Sequence, residues 1–393
     1  MTSPKMPPGR APDPEWACRW CRSLEGVVVL DLGAQSAADF FPLQQDSGPD
    51  VTHPLAMVQC TRCWLVQLES DPTSPDEPRG IEPRALVLQA EDAIAQVESA
   101  GLLAEGVTVL EHPSPHGGSW LPDLTARGLR DVGTGPADVV VDAFGMMHDS
   151  DQRGALQSRV AELAPGGLLL LQFHTLAAIL RQGMWNALRH GHFAYYSTPV
   201  IVAMAEDSGL QAVGAWEFDL YGGTVMIAFA RDGIRSVNVD GLIERETAVG
   251  VLDPSTVSRL QESLSSSVSA IRDYLDNGVA GGLTMAGYGA ASRSVALLAM
   301  AGVTKDDLVG IADASPTKIG RCLPAVRIPV IAPQELVDLR PDRVLLFVPD
   351  LLSEVRLALP DIELNGGRWT VLDPQPVEVE PVTAPVAWSR SPL

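Results

Sequence analysis

Residues 107–118 read Val107-Thr108-Val109-Leu110-Glu111-His112-Pro113-Ser114-Pro115-His116-Gly117-Gly118. The β-branched start favours a buried strand. The Pro-, Ser- and Gly-rich run after it closes that strand in a turn. Further strands follow at intervals that leave room for helices. They are Asp138-Val139-Val140-Val141-Asp142, then Gly167–Phe173 entered through Pro165-Gly166-Gly167, then Gly223–Ala230. Helical spacing fills 151–164 and 198–209 between them. The pattern predicts α/β architecture with a partly parallel, helix-covered sheet.

Upstream of this block, 85–103 has helical spacing and 71–84 (DPTSPDEPRGIEPR) reads as a charged, Pro-rich linker. Before it lie Cys18-Arg19-Trp20-Cys21 and Cys60-Thr61-Arg62-Cys63. Each C-x2-C turn points two thiolates at one place, and two such turns make a tetrahedral S4 site. Four sulfur ligands leave no open position, so Cys18, Cys21, Cys60 and Cys63 predict a structural Zn2+ in a small module over 15–70. Val27–Gly33 and Leu65–Leu68 read as its short strands. Cys322 reads as an ordinary thiol.

Downstream, 254–277 reads as one long connecting helix. A second α/β unit begins at Leu283–Gly289, a strand that leads into a Gly-rich turn. A helix over 292–301 and strands at Val309–Asp313 and Arg343–Val348 make this a small doubly wound, Rossmann-like domain.

The net charge of −21 opposes nucleic-acid binding. No apolar run is long enough to span a membrane. The Pro-rich start MTSPKMPPGRAPDPEW lacks the apolar core of a signal peptide, so the expected location is cytoplasmic. The first 14 residues and the last 13 (381–393) read as disordered tails.

Several segments carry a family likeness: CRWCRSLEGVVVLDLGAQSAADFF, HPLAMVQCTRCWLVQL, APGGLLLLQF, HGHFAYYS, YGGTVMIAFAR, GYGAASRS and DASPTKIGRCLPAVRIPVI. The chain resembles the nucleotide-sugar C-methyltransferases of antibiotic pathways over nearly all of 16–377. The resemblance implies a zinc-binding module, a methyltransferase-like domain over 71–250, a connecting helix over 251–278 and a nucleotide-sugar-binding domain over 279–380. It further implies S-adenosylmethionine in the middle domain and a base that removes a proton beside a sugar ketone. The substrate would be a keto-deoxysugar, with dTDP as the expected carrier.

Departures from the family pattern fall on the cofactor site. Two prolines restrict the turn after Glu111 and remove two amide donors. The stretch from Thr108 to Pro136 is shorter than the about 30 residues of one βαβ unit, so at least one strand–helix unit of the adenosine pocket is expected to be missing. Glu111, Gly117, Gly118 and Asp142 are the weak cofactor candidates, and Asp131 or Asp142 would have to stand in as the ribose ligand. In HGHFAYYS, Arg189 and Gly191 replace the Tyr and Glu that the family pattern implies, and Tyr221 replaces a His.

The catalytic candidates are His192, His148, Tyr221 and His190. An imidazole titrates near neutral pH, His148 ends a strand where α/β sheets bind ligands, and Tyr221 could donate to an enolate oxygen. Gly287, Gly289, Ser292 and Arg293 open a helix whose N–H groups suit a phosphate. Ser315, Lys318 and Arg321 add a hydroxyl and two cations. The leading expectation is proton transfer beside a carbonyl without S-adenosylmethionine, giving epimerisation, isomerisation or cyclisation. The alternatives are S-adenosylmethionine-dependent C-methylation and an inactive ligand-binding homologue.

Overall fold

A computed structural model describes residues 9–46, 48–73, 82–113, 117–372 and 374–381. They divide into two compact units, 1–40 with 49–266 and 41–48 with 267–393. No helix among the described residues is long and apolar enough to cross a membrane.

The first unit opens with strands β1 (Gly26–Ser36), β2 (Thr52–Cys60) and β3 (Val66–Leu68). Leu55 to Cys60 are all buried, so this sheet is covered on both faces. Trp16 packs across Gly26, where an added Cβ would lie 2.8 Å from the indole. The expectation of a disordered tail is corrected for its described part. Gly9 N–H donates to Val28 O, Val28 N–H donates to Arg10 O, and the Arg10 guanidinium bridges Asp31 and Glu69. The rest of both tails lies outside the described residues.

The elements that follow are α1 (Arg84–Ser99), β4 (Thr108–His112), α2 (Leu121–Ala126), β5 (Arg130–Asp131) and β6 (Ala137–Ala143). A 3-10 turn at Met146–His148 leads to α3 (Gln152–Ala161), β7 (Leu163–His174), α4 (Leu176–Gln182) and β8 (Ala194–Tyr195). The unit continues through α5 (Thr198–Asp207), β9 (Gln211–Phe218), β10 (Thr224–Ala230), α6 (Val237–Val249) and α7 (Pro254–Val257).

The six-stranded sheet runs β5-β4-β6-β7-β10-β9. β5, β4, β6 and β7 are parallel, whereas β10 is antiparallel to both neighbours. The short stretch after β4 does hold a strand–helix unit, compressed to α2 and the two residues of β5. Beyond β5 the sheet ends. β7 starts at Leu163 rather than at Gly167 because Pro165-Gly166-Gly167 forms a bulge: Ala137 pairs with Leu163, and Val139 pairs with Leu168.

Two boundaries differ from the sequence reading. β8, inside HGHFAYYS, pairs with β3 as the fourth strand of the zinc-module sheet, so that module and the six-stranded sheet form one unit. Residues 41–48, in turn, belong to the second unit.

The expected connecting helix is two pieces, α7 and α8 (Arg259–Ala280), which meet at Ser258. Leu260, Leu264, Ile271 and Leu275 form the buried stripe of α8. The second unit then adds β11 (Met285–Tyr288), α9 (Ser292–Met300), β12 (Ile311–Ala312), β13 (Val330–Ile331), α10 (Pro333–Leu339) and β14 (Arg343–Leu346). It ends with α11 (Leu352–Ala358), α12 (Asp361–Leu364), β15 (Arg368–Leu372) and β16 (Pro376–Glu378). Its sheet order β13-β12-β11-β14-β15-β16 is doubly wound about β11 and β14.

Candidate functional site

The four cysteines meet as expected. Their Sγ atoms all lie within 4.8 Å of one another, with Cys18 and Cys63 at 3.5 Å and Cys21 and Cys60 at 3.6 Å. Gln67 Nε2 donates to Cys18 Sγ and the Arg62 amide donates to Cys60 Sγ. Hydrogen bonds from Cys60 and Cys63 draw the Cys18 thiol far below the usual thiol range. The neighbouring Cys18 in turn pushes Cys60 up to about 11 and Cys63 higher still. Four thiolates this close need a cation to ionise together, so the donor set fits one tetrahedral Zn2+.

The knuckle is braced against the six-stranded sheet's loops. Arg19 donates to Ser150 O and stacks 4.8 Å from the Phe193 ring centroid. Arg153 donates to Trp20 O and lies 4.5 Å from the indole centroid.

In the six-stranded sheet the chain turns one way from β4 to β5 and the other way to β6. The crevice outside the carboxyl ends of β4 and β6 is therefore the switch point where such sheets bind ligands. Gly117 and Gly118 reach it with φ of +85° and +81°. Among the described residues, a Cβ at Gly117 would meet no atom within 4 Å, whereas the Glu82 carboxylate fills the space a side chain at Gly118 would need. Glu111 closes the turn, accepting from Ser119 Oγ and the Trp120 amide. Burial, reinforced by Glu111, raises the Glu82 carboxyl above its ordinary range. Asp131 ends β5 and accepts from the Gly133 amide at 2.8 Å.

Asp142 is corrected as a cofactor candidate. It is fully buried and its carboxylate is already engaged. Oδ2 accepts from Arg159 Nε at 2.8 Å, and Oδ1 accepts from the Gly145 and Met146 amides. Asp142→Ala takes the buried partner from Arg159, leaving it Asp149 and Ala155 O, and removes the acceptor of the Gly145 and Met146 amides, so urea denaturation is expected to show a loss of about 3–5 kcal/mol.

On the same side, the structure brings His148 and His192 together, with ring centroids 4.3 Å apart and edge to face. Arg189 Nε donates to His192 Nε2 at 2.7 Å, so that nitrogen is an acceptor and the imidazole is neutral with its proton on Nδ1. Burial, then the Arg189 charge, lowers His148 to about 3. A histidine held neutral in the fold and protonated near pH 6.5 when unfolded stabilises the fold above pH 6.5. That contribution, on the order of 4 kcal/mol, is lost as pH falls from there toward 3. Denaturation midpoints measured across that window are expected to fall in the wild type and to fall less in His148→Gln.

Tyr221 keeps different company. Its φ is +54°, and its ring meets Phe144 at 5.8 Å and His174 at 6.4 Å. Phe144, at the end of β6, also has a positive φ, of +64°. Two strained aromatic residues at strand ends mark a place where the fold over-determines the backbone. His174, the last residue of β7, was passed over in the sequence because QFHT resembles an ordinary strand end. His190 is corrected to a scaffold position. It is 2% exposed, its Nε2 donates to Pro54 O at 3.1 Å, and its ring faces His53.

In the second unit, Gly287 lies in β11, Gly289 directly follows it, and Ser292 and Arg293 begin α9. A Cβ at Gly287 would lie 2.6 Å from Phe347, so close strand packing demands that glycine. Gly289 N–H donates to Ala312 O, which places this turn beside the DASPTKIGR loop. Ser315 is buried and its Oγ bonds Thr317 Oγ1. Lys318 is 5% exposed; its Nζ donates to Ala290 O and lies 5.0 Å from the Phe41 ring centroid. Arg321 donates to Thr317 O and Phe41 O. Lys318 thus reaches the turn before α9, and Lys318 and Arg321 both also hold Phe41 of segment 41–48.

Two family models match the chain. One, described as "Putative zinc binding domain", covers 18–77, and the other, "C-methyltransferase C-terminal domain", covers 219–374. C-methyltransferase NovU of Streptomyces niveus is 27% identical over 413 residues, spanning 91% of this chain and 96% of the relative. Magnesium protoporphyrin IX methyltransferase from Synechocystis PCC 6803, solved with bound SAH, is 9% identical with a TM-score of 0.29, over 38% of this chain and 84% of that one. A 1,6-didemethyltoxoflavin-N1-methyltransferase from Burkholderia thailandensis is 11% identical with a TM-score of 0.25, over 43% of this chain and 96% of that one.

Proposed function

This chain belongs to the sugar C-methyltransferase family, and from that premise we propose that it methylates a carbon beside the ketone of a nucleotide-linked deoxysugar, using S-adenosylmethionine. The observation that carries the reading is the His148–His192 pair, with His148 in the turn that follows the carboxyl end of β6.

S-adenosylmethionine supplies an electrophilic methyl when bound. The open space at Gly117, the Asp131 carboxylate at the end of β5 and the negative charge of Glu82 and Glu111 suit a cationic sulfonium cofactor. His192 takes the proton from the carbon next to the ketone. The electron pair moves onto the ketone oxygen, and the enolate carbon would be the nucleophile for the methyl that the bound cofactor supplies. Arg189 must leave His192 Nε2 for that proton transfer, and its cation is then placed to steady the enolate oxygen. In the second unit, the turn at Gly289 and the N-terminus of α9 are the candidate grip for a pyrophosphate, with Zn2+ at the cysteines as scaffold.

The reading without a methyl donor, drawn from the shortened stretch before β6, has less behind it. That stretch keeps α2 and β5, and a C-methyltransferase matches most of the chain. Calorimetric titration with S-adenosylhomocysteine tests the choice. Micromolar affinity is expected, and no heat of binding in the zinc-loaded protein would sink the proposal.

A further inference from the structure

His148 and His192 sit on different segments, yet their rings meet. His148 ends the turn at 146–148, and His192 lies just before β8. What sets their separation is a buried polar frame under both. Asp142 Oδ1 receives the Gly145 and Met146 amides at 2.7 and 3.0 Å. Gln152, fully buried, donates its amide to Met146 O at 2.9 Å and to Asp149 O at 2.6 Å. Arg159 ties Asp142 to Asp149. The turn is therefore held at its amides from one side and at its carbonyls from the other.

Two bonds join this frame to the other histidine's segment. Phe193 N–H donates to Met147 O at 2.8 Å, and the Tyr196 hydroxyl donates to Gln152 Oε1. Tyr196 is 1% exposed. Burial, then Asp142, pushes its phenol well above the ordinary range, so it stays a proton donor. Gln152 thus has its carbonyl on one histidine segment and its amide on the other.

We propose that Tyr196 and Gln152 are positioning residues that hold the His148 turn and the His192 segment in the register the reaction needs. The inference rests on the functional reading above for its kinetic consequence and stands apart from it for its structural one. In a buried site, a shift of about 1 Å between reacting groups costs up to about a hundredfold in rate.

The test pairs kinetics with 15N NMR of the histidine rings, in the zinc-loaded full chain. In Tyr196→Phe, kcat toward a dTDP-4-keto-deoxysugar is expected to fall about ten- to a hundredfold, with KM for both substrates nearly unchanged. The ring signals of both histidines are expected to move. Gln152→Glu keeps an acceptor for Tyr196 but withdraws the amide donor from the turn, so the His148 signals are expected to move most. Unmoved ring signals in Tyr196→Phe would overturn the proposal, as would a changed KM with unchanged kcat. If the wild type shows no methyl transfer, the functional reading fails while the ring signals still decide whether the frame sets the pair. Should Tyr196→Phe not fold, the Gln152→Glu spectrum decides, and an unshifted His148 signal there overturns the inference.

Discussion

Replacing His192 with Ala is expected to lower kcat/KM by about 10²–10⁴-fold, the usual contribution of a general base, while leaving S-adenosylhomocysteine affinity unchanged. On the proposed reading the loss falls in kcat, because a general base acts on the proton in flight and adds little to ground-state binding. His148→Ala is expected to cost less, since desolvation and the Arg189 charge lower its basicity and make it the weaker proton acceptor. Steady-state kinetics on both variants check this order. Equal and small losses in the two would assign the proton transfer to another group.

Cys60→Ser is expected to remove the zinc ion and most of the activity together, although no cysteine approaches the chemistry. Structural zinc contributes on the order of 10 kcal/mol to small zinc folds. Here the loss would propagate along a traceable path. Cys60 ends β2, β2 pairs with β3, and β3 pairs with β8, whose Ala194 lies two residues from His192. Arg19, inside the first C-x2-C turn, stacks on Phe193. Metal analysis is expected to show one zinc per chain in the wild type and none in the variant, with a lowered melting temperature. A metal-free variant with full activity would show that the module does not support the catalytic segment.

The parts of the fold that local pattern encodes were legible. The matched cysteine pairs, the β-branched runs of β4 and β6 and the Gly-rich turn after β11 each carry their signal within a few residues. What escaped the sequence depended on pairing across the chain. β5 and β8 have two residues each and exist only because β4 and β3 offer edges to them. HGHFAYYS reads in the sequence as a candidate site and gives no sign of the strand that completes the zinc-module sheet.

The same limit applied to the site. Asp142 reads as a pocket carboxylate in the sequence, and only the fold turns α3 so that Arg159, 17 residues on, becomes its buried partner. His190 and His192 alternate in sequence, and only the fold separates the scaffold histidine, bonded to Pro54, from the one that meets His148. His174 and Phe144 carry no motif, and their ring contacts with Tyr221, together with the positive φ of Phe144 and Tyr221, are what mark them.

The most direct test of the central claim is one incubation in D2O with methyl-labelled S-adenosylmethionine and a dTDP-4-keto-deoxysugar, followed by NMR of the sugar. Methyl transfer predicts a new carbon-bound labelled methyl next to the ketone and formation of S-adenosylhomocysteine. Deuterium entering that carbon with no labelled methyl would contradict it, and would return the enzyme to proton-transfer chemistry without a methyl donor.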